Sequence, residues 1–130
     1  MAANVNDEGS LAHAFAGATA IFAITAYWES IMTLGRDGAG EEEVQQQKNM
    51  ARAAASTPTL KHYVLSSLPP CSKMSSGKYE VPHFDYKEVA LDWMKEGLPE
   101  LVAKTTLFWP GFYASNFAFF PVLKMVPVVS

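Results

Sequence analysis

Three short runs of strand-forming residues punctuate the chain, and each stretch between them is long enough to hold a helix. The runs are Ala20-Ile21-Phe22-Ala23-Ile24-Thr25, Tyr63-Val64-Leu65 and Thr105-Thr106-Leu107-Phe108-Trp109. Antiparallel neighbours can be joined by a two-residue turn, whereas parallel strands need a crossover of a dozen residues or more, usually a helix. The alternation therefore predicts right-handed βαβ units and a small parallel sheet. The first run is continuously apolar, which predicts a strand buried on both faces.

The intervening segments carry helix signals. From Glu41 to Ala55 the first turn is acidic and the second half holds Lys48 and Arg52, matching the helix macrodipole. Ala51, Ala53, Ala54 and Ala55 would let that helix lie close to a sheet, and Pro58 stops it. A second helix is predicted from Phe84 to Glu96, with Val89 and Trp93 on one apolar face near Met94 and Leu98. Gly97 would close it, with Pro99 following. A short helix from Leu11 to Ala16 starts at Asp7, Glu8 and Ser10 and ends at Gly17. Gly35 to Gly40 and Leu68 to Gly77 read as loops.

At 130 residues, 49% apolar and 18% charged, the chain suits one globular domain spanning its whole length. The net charge is −3 and the basic residues are scattered singly, so no stripe exists to track a phosphate backbone, and nucleic acid is not expected as a partner. The most apolar stretch, Phe117 to Val129, is broken by Pro121, Lys124 and Pro127 and is too short to span a bilayer. It reads as core or partner-facing surface, and no membrane partner is expected. Cys71 is the single cysteine, which rules out an internal disulfide and fits a reducing, cytoplasmic setting. The opening residues lack a secretory pattern. His13 and His62 have no companion at metal-ligand spacing.

In parallel sheets, ligands sit beyond the carboxyl ends of the strands. Here those ends are Thr25, Ser66-Ser67 and Pro110-Gly111, each followed by polar or aromatic residues. Gly35, Gly38 and Gly40 precede a helix and could pass for a phosphate loop. Glu41, Glu42 and Glu43 follow at once and would repel an anion there. His83 and Lys87, four apart, share one helix face.

Four segments, in order, carry a family resemblance: Phe22-Ala23-Ile24-Thr25-Ala26-Tyr27-Trp28-Glu29; Lys61-His62-Tyr63-Val64-Leu65-Ser66-Ser67-Leu68; Gly77-Lys78-Tyr79 with Val81-Pro82-His83-Phe84-Asp85-Tyr86-Lys87; and Pro110-Gly111-Phe112-Tyr113 through Asn116. Together they resemble the NmrA-like family of the atypical short-chain dehydrogenase/reductase superfamily. The resemblance implies an α/β, partial Rossmann-type fold whose first βαβ half, with the glycine-rich phosphate loop, is missing from this chain. It also implies NADP or NAD as cofactor and an oxidoreductase-type function on a small-molecule substrate, including secondary-metabolite chemistry.

By the same resemblance, Ser66, His83 and Lys87 are the catalytic candidates. His83 stands where the superfamily has a proton-donating Tyr, and Lys87 stands where it has the ribose-binding Lys. Thr25, Ala26, Tyr27, Lys87, Phe112, Tyr113, Ser115 and Asn116 are the cofactor-binding candidates. Two other readings remain open. One is a non-catalytic, redox-sensing regulator that binds a protein partner. The other is an inactive truncated paralogue. An unpaired sheet edge would also allow a homo-oligomer.

Overall fold

The computed structural model describes residues 2–113 and 115–119. In chain order the elements are α1 (Glu8–Phe15), β1 (Ala20–Ala23), α2 (Tyr27–Ala55), β2 (His62–Ser66), α3 (Cys71–Met74), α4 (Pro82–Gly97), α5 (Pro99–Val102), β3 (Thr105–Phe108) and α6 (Asn116–Phe119). The strands form one parallel sheet in the order β1-β2-β3, with Ala20 opposite His62 and Tyr63 opposite Thr105. The expected α/β architecture with a small parallel sheet is the one observed. The apolar residues after Phe119 lie outside the described set.

Both crossovers step in the same direction across the sheet. Crossovers of one hand that step the same way lay their helices on the same face. Accordingly α2 and α4 pack against each other, and Ile21, Ala23, Tyr63 and Leu65 point into that layer and are buried with Met50, Ala51, Ala54, Leu91 and Met94. Leu11 of α1 and Leu101 of α5 close the same core. Tyr63 is fully buried, its hydroxyl has no partner among the described residues, and burial pushes its phenol well above the usual range.

The expectation that the first strand is buried on both faces is not met. Its burial alternates, and Phe22 is 55% exposed on the face turned away from the helices. Phe108 lies on that face too, 49% exposed, and its ring meets Phe22 edge-on at 6.2 Å. The run is apolar throughout because both faces can be covered. Only one is covered, because no crossover among the described residues steps the other way.

The loop expected from Gly35 to Gly40 is helical in the structure. Only Gly35 departs from helical geometry, at φ 71° and ψ −178°, and it kinks α2 between residues 34 and 36. That backbone region is essentially restricted to glycine. The Tyr27 hydroxyl donates to the Arg36 carbonyl at 2.9 Å and fastens the kink. Gly40 has a different reason for being glycine. A methyl there would lie 2.1 Å from the Tyr86 ring of α4. The glycines that read as loop punctuation are thus a kink and a helix–helix contact.

Smaller departures follow from packing. The segment from Leu68 to Gly77 holds the single turn α3. The buried stripe of α4 is Lys87, Ala90, Leu91 and Met94, while Val89 faces solvent. Trp93 is half-buried and lies under Lys48 and Arg52 of α2 at 5.4 and 5.1 Å. Gly97 does not terminate α4 by a left-handed turn; Leu98 caps it with φ −134°.

The two glycines make separable predictions. Gly40→Ala should cost about 1–3 kcal/mol by overpacking, and much of that loss should return when it is combined with Tyr86→Ala. Gly35→Ala meets nothing within 4 Å, so its cost, about 1–3 kcal/mol from backbone strain alone, should be unchanged by Tyr86→Ala. Urea denaturation of the single and double variants measures both.

Candidate functional site

The carboxyl ends of the strands converge, as a parallel sheet requires. Thr25, Ser66 and Pro110 line one cleft of about 120 Å³, together with Lys87 reaching over from α4. Ala26, Tyr27, His83 and Tyr113 border the same cleft. An adjoining cavity of about 500 Å³ opens outward and is lined by Phe112, Tyr113 and Asn116. Trp28, Leu68, His83, Pro110 and Tyr113 are common to both, so the two are continuous. Ser115 is exposed and lines neither.

At the base of the cleft is a buried polar cluster. The Lys87 ammonium donates to Glu43 Oε1 at 2.7 Å and to Thr25 Oγ1 at 3.1 Å. Thr25 in turn donates to Glu43 Oε1 at 2.7 Å and accepts from Gln47 Nε2 at 3.1 Å. Lys87 is 6% exposed, Glu43 2% and Gln47 1%, so this ion pair is shielded from solvent. Two of the three ammonium protons are thereby placed, leaving one for the cleft. Glu43 Oε2 and Gln47 Oε1 are buried without a partner among the described residues. Ser67 Oγ is also buried and unpartnered.

Buried polar atoms are nearly always hydrogen-bonded. An unmet carboxylate oxygen and a spare ammonium proton beside one cleft make an acceptor–donor couple suited to hydroxyl groups. The sugar end of a nicotinamide dinucleotide has that chemistry, and Lys87, Glu43 and Thr25 fit it. Its pyrophosphate finds no equivalent match among the described residues. Gly35, Gly38 and Gly40 lie within α2 and are followed by acidic side chains.

Glu43 stands in the sequence as one of three like acids, with nothing local to set it apart, but the three diverge on the helix. Glu41 is exposed, Glu42 is half-buried and bonded to the Ser30 hydroxyl, and Glu43 points inward. A signal was present. Glu43, Gln47, Met50, Ala51 and Ala54 recur at helical spacing, and the last three are core residues.

His83 is held from two sides. Its helix begins at Pro82, and the Asp85 carboxylate fixes that start by accepting from Val81 N–H at 2.7 Å and from Ser72 N–H at 2.8 Å. Its ring is surrounded by Tyr27 at 5.8 Å, Trp28 at 4.9 Å and Phe84 at 4.7 Å. Burial lowers the His83 pKa below its ordinary value. Lys87 lowers it further, and Glu43 and Asp85 act in opposition. The positive end of the helix dipole adds to the same tendency. The imidazole is therefore neutral at neutral pH and offers one N–H donor and one acceptor.

Removing one member of a buried ion pair strands the other. Lys87→Met should destabilise the protein by about 3–5 kcal/mol, and Lys87→Met with Glu43→Leu should recover most of that loss. Chemical denaturation of the two variants tests the coupling; equal losses in both would show that the pair does not act as a unit.

Among the described residues no helix is long and apolar enough to cross a membrane. The family model described as the NmrA-like family matches residues 1–128.

Proposed function

The chain belongs to the NmrA-like family, and on that premise we propose that it is an NAD(P)-binding, oxidoreductase-type protein that acts on a carbonyl compound. The observation that carries this reading is the meeting of Ser66, His83 and Lys87 at one cleft, beyond the carboxyl ends of parallel strands. Lys87, backed by Glu43 and Thr25, would hold the sugar hydroxyls of the dinucleotide. Bound there in its reduced form, the dinucleotide supplies a hydride.

The protein's own residues orient the carbonyl and meet its developing negative charge. Ser66 at the end of β2 donates a hydrogen bond to the carbonyl oxygen. Neutral His83 donates a second through its ring N–H, and the oxygen takes its proton from solvent as the carbon–oxygen double bond opens. A donor aimed at developing charge in a water-poor site is worth far more than one in bulk water. Tyr27, Trp28 and Phe84 pack around the imidazole and orient it.

NADPH and NADH, tested separately, should raise the melting temperature. At a hundredfold excess over Kd the stabilisation is about 2.7 kcal/mol. No shift with either nucleotide removes the proposal. Because the His83 pKa lies below the ordinary 6.5, its ring protons should keep their neutral-form chemical shifts down through that pH and move only at more acidic values. A titration midpoint above 6.5 by nuclear magnetic resonance contradicts the neutral donor.

A second reading, a regulator that docks on another protein or on its own copy, has one observation in its favour. The outer face of the sheet exposes Phe22 and Phe108, and β1 has no strand neighbour on its outer side among the described residues. Open edges invite pairing. Light scattering of the wild type and of Phe22→Asp separates the cases. A monomeric mass for both, with full nucleotide response, leaves the enzyme reading alone.

A further inference from the structure

The inner cleft is too small for both a sugar and a substrate, and the outer cavity has a chemistry of its own. Its volume, about 500 Å³, falls within the range of sites that enclose compact organic ligands. Its walls are Trp28, Phe84, Phe112 and Tyr113, with Leu68 and Pro110 between them. No carboxylate, ammonium or guanidinium lines it among the described residues; His83 and Asn116 are the polar groups besides the Tyr113 phenol. Trp28 is 62% exposed, and Phe112 and Tyr113 are also exposed. Contiguous exposed aromatic surface of this kind marks a binding site.

The geometry favours flat ligands. Trp28, His83 and Phe84 touch one another at centroid separations of 4.9 and 4.7 Å with inclined planes, so they form one continuous aromatic wall. A planar ring laid against that wall meets π faces and edges in the arrangements that aromatic pairs prefer. A carboxylate or phosphate seated there finds no ammonium or guanidinium among the lining residues to replace the water it loses. Aliphatic ligands of equal size would fill the volume but forfeit the ring–ring contacts.

We propose that the outer cavity binds uncharged, planar aromatic ketones, with the ring among Trp28, Phe84 and Tyr113 and the oxygen directed to His83. This rests on the oxidoreductase reading for its choice of a carbonyl. It is tested by direct binding, which needs neither dinucleotide nor turnover. The probes are 2-acetonaphthone, its charged counterpart 2-naphthoate, and cyclohexyl methyl ketone, titrated by calorimetry against the full chain.

The expected result is that 2-acetonaphthone binds at least about tenfold more tightly than either of the others, the factor that 1.4 kcal/mol gives. Trp28→Ala and Phe84→Ala should each weaken it by a similar factor while leaving the far-ultraviolet circular dichroism unchanged. Because Trp28 is largely exposed, its removal tests the aromatic wall without disturbing the core. Equal affinity for naphthoate, a preference for the cyclohexyl ketone, or wild-type affinity in a folded Trp28→Ala variant would each overturn the proposal. Binding of the ketone without any nucleotide-induced stabilisation would sink the oxidoreductase reading and leave this one standing. Stabilisation by nucleotide without ketone binding would do the reverse.

Discussion

A lysine and a glutamate buried between two helices organise the molecule. Glu43 of α2 and Lys87 of α4 face each other where those helices pack, and each would be costly to bury without the other. Thr25, just beyond β1, bonds to both, so the sheet and the helical layer are joined at that point. The ion pair also sets the direction of what remains free: one ammonium proton and one carboxylate oxygen. The polar chemistry of the cleft is what is left over after the helices have satisfied one another.

Around this base the site is aromatic, and the aromatic residues come from parts of the chain far apart in sequence. Tyr27 and Trp28 open α2, His83 and Phe84 open α4, and Phe112 and Tyr113 follow β3. Parallel topology brings them together because every strand ends at the same rim. The helix starts are fixed by different means: the Tyr27 bond to Arg36 across the Gly35 kink, and the Asp85 carboxylate at the start of α4. Two independently anchored helix starts thus hold the imidazole among aromatic rings, where its partial burial lowers its pKa.

Much of this was legible in the residues. The alternation of apolar runs and helical stretches specified the parallel sheet, and the residues at the strand ends gave the rim where Thr25, Ser66 and Pro110 meet. What escaped were features decided by a partner distant in sequence. The glycines from Gly35 to Gly40 looked like a loop because glycine punctuates locally. Nothing near Gly40 in the chain reveals that Tyr86 needs the space of its missing side chain. Phe22 looked doubly buried because an apolar run states what it can tolerate, not what covers it. Val89 and Trp93 shared a face, but a polar lysine lay on the true core stripe and disguised it. Glu43 was hidden the same way, at the polar end of a helical stripe that turns apolar only after Gln47.

That disguise has a consequence for how the protein comes apart. The stripes carrying Glu43 and Lys87 continue without a break into Met50, Ala51 and Ala54 on one helix and Leu91 and Met94 on the other. No hinge or loop separates the reactive end from the hydrophobic end, so local opening at the cleft and loss of the helix pair belong to one cooperative event. Amide protons along α2 beyond the kink and along the buried part of α4 should therefore exchange with solvent through a shared transition, with any ligand seated at the rim slowing exchange far down both helices.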